Sequence, residues 1–145
     1  MTCESPSEAR YDIYDLIVAA WGDEGPIDFE DKPRNPNSNP IPPKTAVPWL
    51  RVKVQHTYGQ QATLANEIGA RRFRKSGIVL LQIFTPLGSS LREPDRLGIL
   101  LNNALEGAST PHDVFLRNVR MNEIGSDGHW FQVNVVADFE YDSVR

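Results

Sequence analysis

The sequence predicts an α+β domain in two layers: a mixed or antiparallel four-stranded sheet with two helices on one face, in the order α-β-β-α-β-β. Three observations carry that expectation. Two stretches place apolar residues at i, i+3, i+4, i+7 and i+8, the period of an amphipathic helix: Ile13, Leu16, Ile17, Ala20 and Trp21, then Leu97, Leu100, Leu101, Ala104 and Leu105. Four other stretches have strand character, three alternating and one apolar throughout. The last two of these are separated only by Gly125-Ser126-Asp127-Gly128, which makes them an antiparallel hairpin. Strands joined by short turns, with helices kept to one side, define the two-layer class.

Each element has a local cause. Ser5-Pro6-Ser7-Glu8 combines an N-cap serine, proline at the first helical position and a glutamate at N3, the pattern of a capping box. A helix over residues 6–21 follows, and Gly22 ends it because glycine tolerates positive φ. Residues 22–48 change character. Seven prolines fall there, with Asn35, Asn37, Ser38 and Asn39 among them, so the stretch reads as a loop that neither helix nor central strand can enter. Its carboxylates (Asp23, Glu24, Asp28, Glu30, Asp31) lack the fixed spacing of a calcium loop and read as a solvated acidic surface.

From Trp49 the period becomes two. Leu50, Val52 and Val54 alternate with Arg51, Lys53 and Gln55, and His56 and Tyr58 extend the apolar side. Residues 59–70 show no strong period and read as a loop or an extended hairpin arm. The strand over 71–85 opens on Arg71-Arg72-Phe73-Arg74-Lys75 and continues Ile78-Val79-Leu80-Leu81-Gln82-Ile83-Phe84. Apolar residues at both parities imply that both sheet faces are covered here, one by helix and the other by a second helix or another chain. The basic opening reads as a solvated strand end or an intersubunit ion-pair strip. The other reading is a nucleic-acid contact with Phe73 as a stacking ring.

Thr85-Pro86-Leu87-Gly88 is turn chemistry, and Ser90 with Glu93 offers a capping box to the second helix, which Gly107 ends. Gly98 inside that helix implies close approach of another backbone. In the strand from Val114 to Ile124, Phe115, Val119 and Met121 share one face. In the closing strand Phe131, Val133, Val135, Ala137, Phe139 and Tyr141 point one way, with Gln132, Asn134, Asp138 and Glu140 opposite. Trp49, Phe131 and Val133 are expected in the core.

Composition bounds the function. The chain has 145 residues with 15 Lys+Arg against 19 Asp+Glu, a formal net charge of −4. That length suits one domain, 1–145. The negative balance disfavours a phosphate-gripping nucleic-acid binder. Its one cysteine forms no internal disulfide, and no Cys/His spacing builds a zinc site. No apolar run approaches the ~20 residues of a membrane span, and Met1 to Pro6 lacks the features of a signal peptide, so the expectation is a soluble cytosolic protein with no membrane partner.

Catalytic chemistry is sparse. There is no Gly-x-Ser-x-Gly elbow and no dinucleotide fingerprint, and Pro43-Lys44-Thr45 lacks the glycines of a phosphate loop. His56, His112 and His129 are far apart, and His112-Asp113 reads as an element start in a Pro-led turn. No catalytic, cofactor-binding or metal-binding residue is expected, and no cofactor.

A resemblance adds to this. Pro48-Trp49-Leu50-Arg51-Val52, then Arg71-x-x-Arg74-x-x-Gly77 running into Leu81-Gln82-Ile83-Phe84-x-Pro86-x-Gly88, resembles the tail terminator (tail completion) proteins of long-tailed bacteriophages and prophages. Residues 94–105 resemble the helix that follows in that family, and Gly128-x-Trp130-Phe131-Gln132-Val133 its closing strand. The likeness covers residues 47–141; the Pro-rich stretch 22–48 is longer than the family usually carries. The resemblance implies a structural virion protein at the head-proximal end of the tail, assembled in the bacterial host cytoplasm. Such proteins form a ring, typically a hexamer, that caps the tail tube, ends its polymerisation and joins the head connector. The implied partners are further copies of the chain, the major tail tube protein and the head-tail connector proteins, with DNA passing through unbound. A head-completion or neck role is the neighbouring alternative, and a small ligand-binding or enzymatic α+β domain the alternative from another class. Arg71, Arg72, Phe73 and Arg74, at the end of the two-faced strand, are the expected contact to a neighbouring subunit or the tube.

Overall fold

The computed structural model describes residues 5–29, 47–61, 68, 71–88 and 91–144. The elements run α1 (Pro6–Trp21), β1 (Ile27–Phe29), β2 (Trp49–Gln61), β3 (Arg72–Pro86), α2 (Arg92–Leu105), β4 (Phe115–Ser126) and β5 (Trp130–Val144). This is an α+β domain with two helices and a five-stranded mixed sheet, ordered β1-β2-β3-β5-β4. β1 pairs parallel to β2, and the other three pairings are antiparallel.

The fifth strand corrects the expected count of four. β1 lies inside the stretch read as a proline-rich loop, between Pro26 and residues 30–46, which lie outside the described residues. Three residues free of proline suffice at a sheet edge, where only one side of the strand must pair. Asp28 then faces Arg51, whose Nε donates to Oδ2 at 3.0 Å.

α1 begins and ends where its signals placed it. The Ser5 side chain accepts from the backbone N–H of Glu8 at 3.2 Å, and Gly22 closes the helix with φ +62°. Trp21 at the last position turns its indole N–H to the Gly25 carbonyl at 2.9 Å, which fixes the turn into β1. α2 starts differently from expectation. Leu91 is its N-cap and no side-chain bond caps it, while Ser90 lies outside the described residues.

The core lies between the helices and one face of the sheet. Ile13, Ile17 and Trp21 of α1 and Leu97, Leu101 and Leu105 of α2 are buried against Leu50, Val52, Val79, Leu81, Val135, Ala137 and Phe139. Truncating one of these leucines to alanine costs about 2–5 kcal/mol. Val133 and Trp49 are also buried, but Phe131 is half-buried, and Trp49 points away from the helices and stacks on Phe84 with ring centroids 4.1 Å apart.

Two local irregularities overturn readings made from strict alternation. Asn118 adopts φ +55°, and the β4–β5 register shifts between Arg117 and Arg120. The extra residue reverses parity along β4, so Val119 and Met121 pack against the core while Phe115 lies on the opposite face, 45 % exposed. Leu116 takes the inward place instead. In β2 the register shifts between His56 and Tyr58, which ends the alternation there. Gly98 admits a side chain rather than a backbone: a Cβ at this position would collide with the Cε of Met121.

Candidate functional site

Alternation along β2, β3 and β5 sends every second side chain away from the helices. In register across the sheet, that second face carries Trp49, Phe84 and Gln132; then Arg51, Gln82 and Asn134; then Lys53, Leu80 and Val136; then Gln55, Ile78 and Asp138. At one end, the Arg51 guanidinium lies 5.2 Å from the Trp49 ring centroid and 5.7 Å from that of Phe84. Trp130 meets Trp49 edge-on. Leu80 and Val136 are cross-strand partners at the centre and, like Ile78, are half-buried.

The other end is ionic. Asp138, Glu140 and Asp142 follow one another at every second position of β5, and arginines reach them from both neighbouring strands. From β3, Arg72 and Arg74 contact Asp142 at 3.3 and 3.1 Å. From β4, Arg117 contacts Glu140 at 2.7 Å and Arg120 contacts Asp138 at 3.6 Å. The carboxylates sit low and the guanidiniums high: the Asp142 side chain is 18 % exposed against 48 % and 49 % for its two arginines. The hydrogen bond and charge of Asp142 hold the Arg74 guanidinium above its ordinary pKa. Each guanidinium has five N–H donors, more than one carboxylate can occupy, so the layer facing outward is rich in donors. Between these groups lies a cleft of about 360 Å³, lined by Arg72, Arg74, Phe115, Arg117 and Asp142 among others.

The four residues expected to form a contact do not form one surface. Arg72 and Arg74 stand on this second face. Arg71 and Phe73 have the opposite parity, and Arg71 lies 6.0 Å over the Phe73 ring. Period two separates them, and that separation is visible in the spacing alone. The acidic column on β5 and the β4 arginines completing the site lie outside the expected contact; their signals are the Asp138-x-Glu140-x-Asp142 alternation and the pair Arg117, Arg120.

Two further polar clusters serve the fold. His56 Nε2 lies 2.9 Å from the Tyr141 hydroxyl, with its ring edge-on to Phe139 and Tyr141. Burial, with the charges of Arg10 and Lys75, pushes its pKa down. Arg96 of α2 bonds Glu24 after α1 at 2.8 Å and Glu93 at 2.6 Å, joining the helices. Among the described residues no group of three or more His, Cys, Asp or Glu is arranged to hold a metal ion, and no helix is long and apolar enough to cross a membrane.

No family model and no curated protein matches the chain. Among solved structures, one that carries no functional name superposes with a TM-score of 0.57 at 16 % identity, covering 88 % of this chain and 94 % of its own. At that identity the likeness extends to the fold alone.

Proposed function

We propose that this chain is a structural subunit of a phage tail, a terminator that forms a ring on the head-proximal end of the tail tube, ends its growth and joins it to the head connector. The observation that carries this reading is the second sheet face. Both helices are spent on one side of the sheet, and the other side presents Ile78, Leu80 and Val136 beside a strip of outward guanidiniums. A half-apolar, half-ionic surface of this kind fits a protein contact, since interface cores mix apolar residues with arginine and aromatics. Arg72 and Arg74 belong to that contact; Arg71 and Phe73, on the other face, do not share it. The resemblance of residues 47–141 to tail terminators supplies the kind of assembly. The net charge of −4 favours a ring through which DNA slides, because a negative wall repels phosphates.

A second reading rests on the cleft of about 360 Å³ beside Arg72, Arg74 and Arg117, which is large enough for a small anionic ligand. Its guanidiniums already carry carboxylate partners, so a ligand must compete with Asp142 and Glu140. Light scattering and negative-stain microscopy of the purified protein, alone and with tail tubes, separate the readings. Rings, or capped tubes that stop growing, are expected. A monomer that neither forms rings nor caps tubes overturns the terminator reading and leaves the ligand cleft.

A further inference from the structure

The geometry points to the identity of the surface that fills the second sheet face: the outer side of the helical layer of another copy of this chain. The inference rests on the ring reading above and specifies its contact.

The first argument is charge. Residues 5–24, which hold α1 and its turn, carry five carboxylates against one arginine, with Glu8 and Asp12 turned to His112 and Glu24 to Arg96, and α2 with Glu106 carries three against two. The strands of the second sheet face have the reverse balance, with six Lys and Arg (residues 51, 53, 72, 74, 117 and 120) against four carboxylates (28, 138, 140 and 142), and Asp113 adds a fifth at the cleft. The two broad sides of one chain are therefore complementary. Sheet face against sheet face would oppose guanidiniums, and helical layer against helical layer would oppose carboxylates.

The second argument is the pattern on the helices. Tyr11, Asp15 and Val18 fall at i, i+4 and i+7 on the outer side of α1, and Asp95 and Ile99 at i and i+4 on the outer side of α2. Tyr11 is 54 % and Ile99 52 % exposed, and Val18 is exposed as well. Asp15 and Asp95 are exposed and have no ion-pair partner among the described residues. Apolar side chains interleaved with exposed carboxylates match the second sheet face in kind. Ile78, Leu80 and Val136 there are half-buried, and the guanidiniums of Arg117 and Arg120 retain outward donors. Because the two patches are different surfaces, the contact is heterologous; it closes into a ring when its rotation divides a full turn.

Sedimentation velocity on the full chain tests this with two variants. Asp15→Arg with Asp95→Arg reverses charge at two exposed positions on the helices. Arg117→Ser with Arg120→Ser depletes the sheet face. Each variant alone is expected to assemble at least about tenfold more weakly than wild type. Mixed one to one, the variants retain a single intact contact between them and are expected to form a heterodimer that grows no further. Helix variants that assemble like wild type, or a mixture that gives no heterodimer, overturn the inference while wild-type rings keep the ring reading standing. A wild-type protein that stays monomeric with and without tail tubes overturns both. If the sheet variant fails to fold by circular dichroism, the helix variant decides alone.

Discussion

Asp12, midway along α1, holds the imidazole of His112 one hundred residues further along the chain, with Nδ1 2.9 Å from each carboxylate oxygen. The His112 backbone N–H donates to the same carboxylate at 3.1 Å, and Nε2 lies 3.3 Å from Glu8 one turn earlier on the helix. The loop that launches β4 is thereby fastened to α1. Burial pushes the Asp12 carboxyl up, but hydrogen bonds from Thr110 and from the side chain and backbone of His112 outweigh it and hold the pKa below the ordinary carboxylate range.

That clamp has a signed consequence. A carboxyl depressed in the folded state stabilises it above the unfolded value, near 3.8, and the contribution disappears as pH falls through the lower folded value. Asp12→Asn is expected to lose about 1.5–3 kcal/mol near neutral pH, the range for hydrogen bonds to a charged group. Urea unfolding of wild type and variant should converge as the pH drops below 3.8. A difference that persists unchanged into strong acid means the carboxylate charge is not the source.

His56 acts in a different window. Its pKa is pushed down by burial first, then by Arg10 and Lys75, so the unfolded chain takes up a proton before the folded one does. Stability should therefore be full above the ordinary value of 6.5 and fall as pH drops through the folded value. His56→Gln is expected to flatten that limb of the pH profile while leaving the carboxylate limb below it intact.

Much of this fold was legible because its signals are local. The Ser5 cap, the Glu8 spacing and Gly22 bound α1 without reference to anything distant, and the alternation from Val133 to Tyr141 places the inward side chains of β5. β1 could not be read that way. Its three residues carry no periodicity, and what makes them a strand is parallel pairing with Leu50, Arg51 and Val52. Strict alternation puts Phe115 on the wrong face because a single left-handed residue, Asn118, reverses parity, and asparagine at that position leaves no mark in the hydrophobic pattern. The candidate site was half legible for a related reason. The arginines cluster in the sequence, but Asp142 is seventy residues from Arg72, and only the register of β3 on β5 brings them together.

Two glycines separate backbone crowding from side-chain crowding. A Cβ at Gly77 would strike the backbone carbonyl of Gln55 and come within 2.7 Å of the Phe139 ring, neither of which can move without opening the sheet. Gly77→Ala is expected to cost roughly 3 kcal/mol, the upper part of the range for overpacking. At Gly98 the obstacle is the tip of Met121, a flexible side chain. Gly98→Ala gains about 1 kcal/mol in helix propensity against that displacement, so its stability should remain within about 1 kcal/mol of wild type by thermal or urea unfolding.

The assignment of faces also separates the four residues at the start of β3. Arg72→Glu with Arg74→Glu sets new carboxylates beside Asp142 on the face proposed for assembly, whereas Arg71→Glu alters the side that carries Phe73. The double variant is expected to weaken ring formation or tail capping strongly while its melting temperature moves little, because both guanidiniums are exposed and screened by solvent. Arg71→Glu should assemble like wild type. Tail-length distributions by electron microscopy, read beside melting curves, check both statements. Equal loss of capping from the two variants would mean that the contact wraps the strand end, and is not confined to the second face.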